Sequence, residues 1–134
     1  IRYDTQDLVV KGKKSKCGRN LSTITTIAGR DNDILVTPSG KYLIVHNFTG
    51  FFQSNEDVLR SITHFQVVQE SKEKITMYLV INSEFNEPIF SLIKNYWYNY
   101  IGGDVDINFE IVNEIPLTAS GKRRFIVRDF DHAF

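Results

Sequence analysis

Residues 62–112 read ITHFQVVQESKEKITMYLVINSEFNEPIFSLIKNYWYNYIGGDVDINFEIV, and this stretch decides the fold. Two β-rich runs, Ile62 to Glu70 and Lys74 to Asn82, flank the polar turn Ser71-Lys72-Glu73, which predicts a hairpin. From Glu87 to Ile101, the residues Ile89, Phe90, Ile93, Trp97 and Ile101 recur at spacings of three and four. That spacing aligns them on one apolar face of a helix. Gly102-Gly103 then supplies a left-handed stop. Val105 to Val112 alternates, with Val105, Ile107, Phe109 and Ile111 on one side, as a strand does. Hairpin, helix and strand together predict a small sheet with helices packed on one face.

Working upstream, Ile34-Leu35-Val36-Thr37, the turn Pro38-Ser39-Gly40-Lys41 and Tyr42-Leu43-Ile44-Val45 read as a tight hairpin. A short helix is predicted from about Ser54 to Ser61, capped by Ser54 or Asn55 with Glu56 and Asp57 in its first turn. Residues 1–27 differ in character. Two extended runs, Ile1 to Val10 and Leu21 to Ile27, enclose the basic turn Lys11-Gly12-Lys13-Lys14-Ser15-Lys16 and form a hairpin arm. A lone hairpin is at best marginally stable in water. The arm is therefore expected to lie on another sheet and, cut off from one, to be mobile or to pair with a second copy of the chain as a homodimer. The expected fold is α+β: a small antiparallel or mixed sheet of about three main strands, a short hairpin, two helices and the N-terminal arm.

Composition sets the outer limits. The chain has 134 residues, 42% hydrophobic and 13% aromatic, enough to bury one modest core. Sixteen basic residues balance sixteen acidic ones, so no strong field draws in nucleic acid or an anionic membrane. The single cysteine, Cys17, excludes an intrachain disulfide and a cysteine-rich metal centre, and fits a reducing cytoplasm. Runs such as Met77-Tyr78-Leu79-Val80-Ile81 are strand length, far too short to span a bilayer. His46, His64 and His132 are scattered without a shared metal spacing, so no metal site is expected. The chain opens on Ile1 within a strand-like run, which reads as a fragment or a processed product.

Three short motifs remain, and their order says more than any one of them. They are Tyr3-Asp4-Thr5-Gln6-Asp7, then Gly29-Arg30-Asp31-Asn32-Asp33, and finally Pro116-Leu117-Thr118-Ala119-Ser120-Gly121-Lys122-Arg123-Arg124. With Cys17-Gly18-Arg19 and His64-Phe65-Gln66-Val67-Val68-Gln69, the series resembles the carboxy-terminal part of the adenylate-forming (AMP-binding) superfamily. Within it, the chain is most similar to phenylacetate–CoA ligase and to relatives of the capsular-polysaccharide type. Those proteins carry "RYxTGDLV", "CGR", "GRxDD", "QFQxxQ" and "PxTxSGKxR" in the same order.

The resemblance implies an ATP-dependent acid–CoA ligase. A carboxylic acid is activated with ATP and Mg²⁺ to an acyl-adenylate, and the acyl group then passes to an acceptor, most often coenzyme A. The family's "YxTGD" aspartate accepts hydrogen bonds from the ribose hydroxyls, a role that falls on Asp7. The family glycine before it is Gln6 here. The hinge arginine, also a ribose contact, corresponds to Arg30, and the pivot to Asp31, Asn32 and Asp33. The "SGK" lysine corresponds to Lys122, the catalytic cation. Adenylation brings a carboxylate to an anionic phosphate, so an ammonium about 4 Å from the reacting oxygens contributes on the order of 4 kcal/mol.

By the same resemblance, residues 1–29 are the hairpin arm that ends the large AMP-binding domain, and residues 30–134 are the mobile lid. The large domain, which binds the acid and most of the ATP, is the expected partner. Without it the chain is expected to be inactive and to hold no nucleotide or CoA tightly. The competing reading is a non-catalytic α+β module, derived from such a lid, that binds a ligand or partner. The basic turn Lys11 to Lys16 would be the basis of a nucleic-acid reading, which the neutral charge balance disfavours.

Overall fold

A computed structural model describes residues 7–15, 17–19, 21–30, 33–119 and 121–130. Its central feature is a four-stranded mixed sheet in the order β7-β6-β5-β8. Strands β5 (Ile62–Ser71) and β6 (Lys74–Ile81) form the predicted antiparallel hairpin. After β6 the chain crosses through helix α3 (Glu87–Ile101) and returns as β7 (Asp106–Ile111), parallel to β6. Strand β8 (Ile126–Arg128) runs parallel to β5 on its other side, opposite Val67, Val68 and Gln69.

Helix α3 forms where the apolar period placed it. The Asn86 side chain caps it by accepting from the Ile89 amide at 3.1 Å. Gly102, at φ 107°, ends it. Its face of Ile89, Ile93, Trp97 and Ile101 is buried against Ile75, Met77 and Leu79 of β6, Val67 of β5 and Ile107 of β7. The tyrosines beside Trp97 stay at the surface, with Tyr96 and Tyr98 exposed.

A second hairpin, β3 (Ile34–Val36) with β4 (Tyr42–Ile44), packs on this layer, as the sequence predicted. Two short helices follow, α1 (Val45–Ser54) and α2 (Glu56–Ser61). The α2 helix matches the one predicted to end at Ser61, but α1 was not anticipated. Three helices are thus seen among the described residues where two were expected. Val45, Phe48, Thr49, Gly50, Phe51 and Phe52 are mediocre helix formers, and burial decides the matter. Phe48, Phe51 and Phe52 fall on one face, and Phe48 stacks on Trp97 with ring centroids 4.4 Å apart. The α1 N-terminus is completed when the Ile44 amide donates to Asn47 Oδ1 at 2.8 Å.

The arm is present as β1 (Asp7–Lys11) paired antiparallel with β2 (Ile24–Arg30) in a sheet of its own. Val9, Val10, Ile24 and Ile27 on it are exposed. Among the described residues, no helix is long and apolar enough to cross a membrane.

An aspartate helps tie the β3–β4 turn to the body. The Ser39 amide donates to Asp104 Oδ2 at 3.0 Å. Hydrogen bonds from the Ser39 side chain and amide hold the Asp104 carboxyl below the usual aspartate value. A lowered folded-state value means that this contribution to stability is complete above the ordinary aspartate range. It is lost as pH falls through the depressed value. In an NMR pH titration, the Asp104 carboxyl and the Ser39 amide should share a midpoint below that of an unperturbed aspartate. An ordinary midpoint would remove this tether.

Candidate functional site

The sharpest sequence candidate, Lys122, lies shortly before β8 and is bonded back to Thr118. The Thr118 amide donates to the Lys122 carbonyl at 2.9 Å, and the Gly121 amide to the Thr118 carbonyl at 2.8 Å. Thr118 Oγ1 accepts from the Lys122 amide at 3.1 Å. Gly121 lies at φ 76°, a left-handed conformation that glycine adopts without strain. An added Cβ there would meet nothing within 4 Å, so the backbone stands open to an approaching group.

The turn has a sequence twin. Thr37-Pro38-Ser39-Gly40-Lys41 repeats the pattern of Thr118-Ala119-Ser120-Gly121-Lys122, with only Pro38 and Ala119 differing. Its bonds match. Thr37 N–H reaches the Lys41 carbonyl at 3.0 Å, Gly40 N–H the Thr37 carbonyl at 2.9 Å, and Lys41 N–H reaches Thr37 Oγ1 at 3.1 Å. Gly40 is also left-handed, at φ 79°.

The two lysines nevertheless have opposite fates. Lys41 Nζ donates to the Tyr100 carbonyl at the end of α3 and lies 3.9 Å from the Tyr100 ring centroid. Its charge serves a helix C-terminus. Lys122 is exposed and, among the described residues, its ammonium has no partner. Register places the turns at opposite ends of the sheet. The Lys122 turn leads into Phe125, whose carbonyl accepts from Val67 N–H at 2.8 Å, on the side where β5 begins. The Lys41 turn follows Val36, which is bonded to Gln69 near the end of β5.

The Lys122 turn projects from a fixed base. Ile115 before it and Ile126 after it are buried, and Gln66 Nε2 donates to the Arg124 carbonyl at 2.8 Å. Arg124 also lies 4.0 Å from Asp33, a partly exposed ion pair of small energetic value. It does bring one predicted hinge residue beside the lysine segment.

Asp7 and Arg30, the predicted nucleotide ligands, are Cα partners in the β1–β2 ladder, so the sequence separation between them closes in space. Asp31 and Asn32 lie outside the described residues. Asp33 begins the run into β3.

Two glutamines of the "QFQxxQ"-like segment act through the backbone of other elements, which spacing alone did not reveal. Gln66 braces the lysine segment, as above. Gln69, fully buried, accepts from Val36 N–H at 3.1 Å and donates to the Val36 carbonyl at 2.7 Å. Arg128 adds a bond to the Ile34 carbonyl at 3.3 Å. Strand β3, which follows Asp33, is thus fastened to the sheet by side chains. The signal that could have found Gln69 was a polar residue at an inward position of a strand.

Cys17 is exposed, and its thiol is lowered from its usual value. The leading cause is the Ser15 hydroxyl, 2.7 Å from Sγ, followed by the Arg19 backbone, rather than neighbouring cations. His64 lies half-buried on β5. Among the described residues, no group of three acidic, histidine or cysteine side chains is placed to hold a metal ion.

Comparison with known proteins gives this geometry a family. The CapK C-terminal domain matches residues 35–129, from β3 to just past β8. Protein CapK of Staphylococcus aureus is 33% identical over 110 residues, covering 79% of this chain and 23% of CapK. The chain therefore spans about a quarter of the curated relative it matches. The crystal structure of 2-hydroxyisobutyryl-CoA ligase, in the postadenylation state with R3-HIB-AMP, superposes with a TM-score of 0.53 at 14% identity. That alignment covers 93% of this chain and 28% of the ligase, and at such low identity it speaks for a shared fold. With most of its length matched from β3 onward, the chain belongs to the CapK C-terminal domain family.

Proposed function

We propose that this chain is the C-terminal lid of an ATP-dependent adenylate-forming acyl ligase. Residues 1–29 close the large nucleotide-binding domain and residues 30–134 swing about Asp31, Asn32 and Asp33. The observation that carries this reading is the contrast between the two lysine turns. The same backbone turn occurs twice, yet Lys41 is bound to its own domain while Lys122 points into solvent. A cation that must meet a phosphate housed elsewhere has to be exposed, on a base firm enough to aim it. The fold shared with a ligase that forms an acyl-adenylate supports the same reading.

In the assembled active site the acid's carboxylate attacks the α-phosphorus of ATP and pyrophosphate departs. Lys122 offsets the repulsion between the two anions and the charge that builds on the phosphorus oxygens. Lysine suits this role because it is a compact charge on a long stem that withdraws when the lid turns. Asp7 accepts from the ribose hydroxyls, and Arg30 supports the same sugar from the next strand of the ladder. Mg²⁺ accompanies the ATP phosphates on the large domain. Acyl transfer, to coenzyme A by the family's usual chemistry, follows rotation of the lid. The phenylacetate–CoA ligase type and a cytoplasmic setting belong to this proposal.

The purified 134-residue chain should form no acyl-adenylate from ATP and acid. Mixing it with the separately produced upstream domain should restore adenylate formation. Turnover by the chain alone would overturn the lid assignment. A mixture that binds but never turns over would favour the non-catalytic module.

A further inference from the structure

A groove of about 360 Å³ opens between α1, α2, the start of β5 and the segment after Lys122. Its walls are mostly apolar, with Phe65 between Phe52 and Phe125 at centroid separations of 4.5 and 5.2 Å, and His64, Gln53 and two threonines supply polar edges. Leu59 and Phe125, 51% and 40% exposed, add accessible apolar surface to it. Arg123 also lines it. Among the described residues its guanidinium has no partner, and no acidic side chain lines the groove. The ion pair with Asp33 is made by the neighbouring Arg124 instead.

Three aromatic rings and one permanent cation, without a partner among the described residues, line the same groove and define its complement. We propose that this groove is a binding site for a small amphipathic anion, an alkyl or aryl body ending in a carboxylate or another oxyanion. The body lies along Phe52, Phe65 and Phe125. The anion takes the Arg123 fork, which matches oxyanion geometry with two parallel donors. The volume is within the range of small-molecule sites. A protein segment is the less fitting occupant, because a groove of about 360 Å³ with a single arginine in its lining suits one small singly charged molecule. The site is distinct in chemistry from the phosphate-directed role of Lys122, and it does not depend on that role.

The test uses the chain as it stands, with decanoate, decyl phosphate, decanol and decylamine as probes and amide NMR shifts as the readout. Saturable shifts confined to α1, α2, the start of β5 and residues 123–125 are expected with decanoate and decyl phosphate. Both anions should bind about tenfold or more tightly than decanol, since a charge-assisted bond to Arg123 is lost with the alcohol. Decylamine should bind more weakly still. Arg123→Gln should erase the preference for anions while leaving decanol affinity unchanged. Leu59→Glu should weaken both anions. Arg123 and Leu59 are exposed, so both variants should fold, and unchanged shifts elsewhere would verify it. Equal affinity for anion, alcohol and amine would overturn the proposal and make the groove a face for another protein. Affinity for the anions that Arg123→Gln does not change would overturn it too.

Discussion

Gln69→Leu is expected to destabilise the domain by about 2–5 kcal/mol. The leucine fits the space and is more apolar, so transfer energy alone would favour it. What it cannot do is bond Val36. The wild-type amide accepts from the Val36 N–H and donates to its carbonyl, at 3.1 and 2.7 Å, with Gln69 and Val36 both buried. Each buried group left without a partner costs about 1–3 kcal/mol, more than the mean worth of the bond itself. Strand β3 pairs with β4 and not with the central sheet, so no ladder compensates for the loss. The melting temperature should fall by on the order of 10 °C. Gln66→Leu removes one bond, from a partly buried side chain to the Arg124 carbonyl, and should cost about 1 kcal/mol. Thermal unfolding of the two variants side by side checks the ranking. A Gln69→Leu protein as stable as the unmutated one would mean that β3 is held by apolar packing alone.

That pair of glutamines also marks the limit of what the sequence disclosed. Hairpin β5–β6, helix α3 and strand β7 were legible because each carries a complete period, such as the Ile89, Ile93, Trp97, Ile101 face that the helix buries. Helix α1 was not, because Val45, Gly50 and three phenylalanines have poor intrinsic preference for helix and form one through contacts with α3 and β5. Strand β8 is three residues long and pairs with β5 across more than fifty positions of sequence, a contact no local pattern encodes. For the site, the ordered motifs pointed to Asp7, Arg30 and Lys122. The ladder partnership of Asp7 with Arg30 and the approach of Arg124 to Asp33 required coordinates. The duplicated turn, TPSGK and TASGK, drew no notice in the sequence because five residues are too short to mark a repeat, and Lys41 is set apart from Lys122 by its contact with Tyr100.

The second large effect is on catalysis. In the full-length protein, Lys122→Ala should lower the rate of adenylate formation by about 10²–10³-fold. An ammonium about 4 Å from the reacting oxygens, at an effective dielectric near 20, is worth on the order of 4 kcal/mol, and each 1.36 kcal/mol is about tenfold. Fold stability should not change, since Lys122 is exposed and has no partner among the described residues. Lys41→Ala supplies the internal comparison. It removes a lysine from the same backbone turn, but one whose charge is spent on the Tyr100 carbonyl and ring. It should therefore lower stability modestly and leave adenylation within a few-fold of the parent. Lys122→Arg keeps the charge but not its compact shape, and should recover part of the rate.

The deciding measurement is single-turnover acyl-adenylate formation by full-length Lys122→Ala and Lys41→Ala proteins under identical conditions. A collapse of the rate in the first and near-normal chemistry in the second is the predicted result. Equal rates in the two variants would contradict the assignment of Lys122 as the cation that this domain brings to the phosphate.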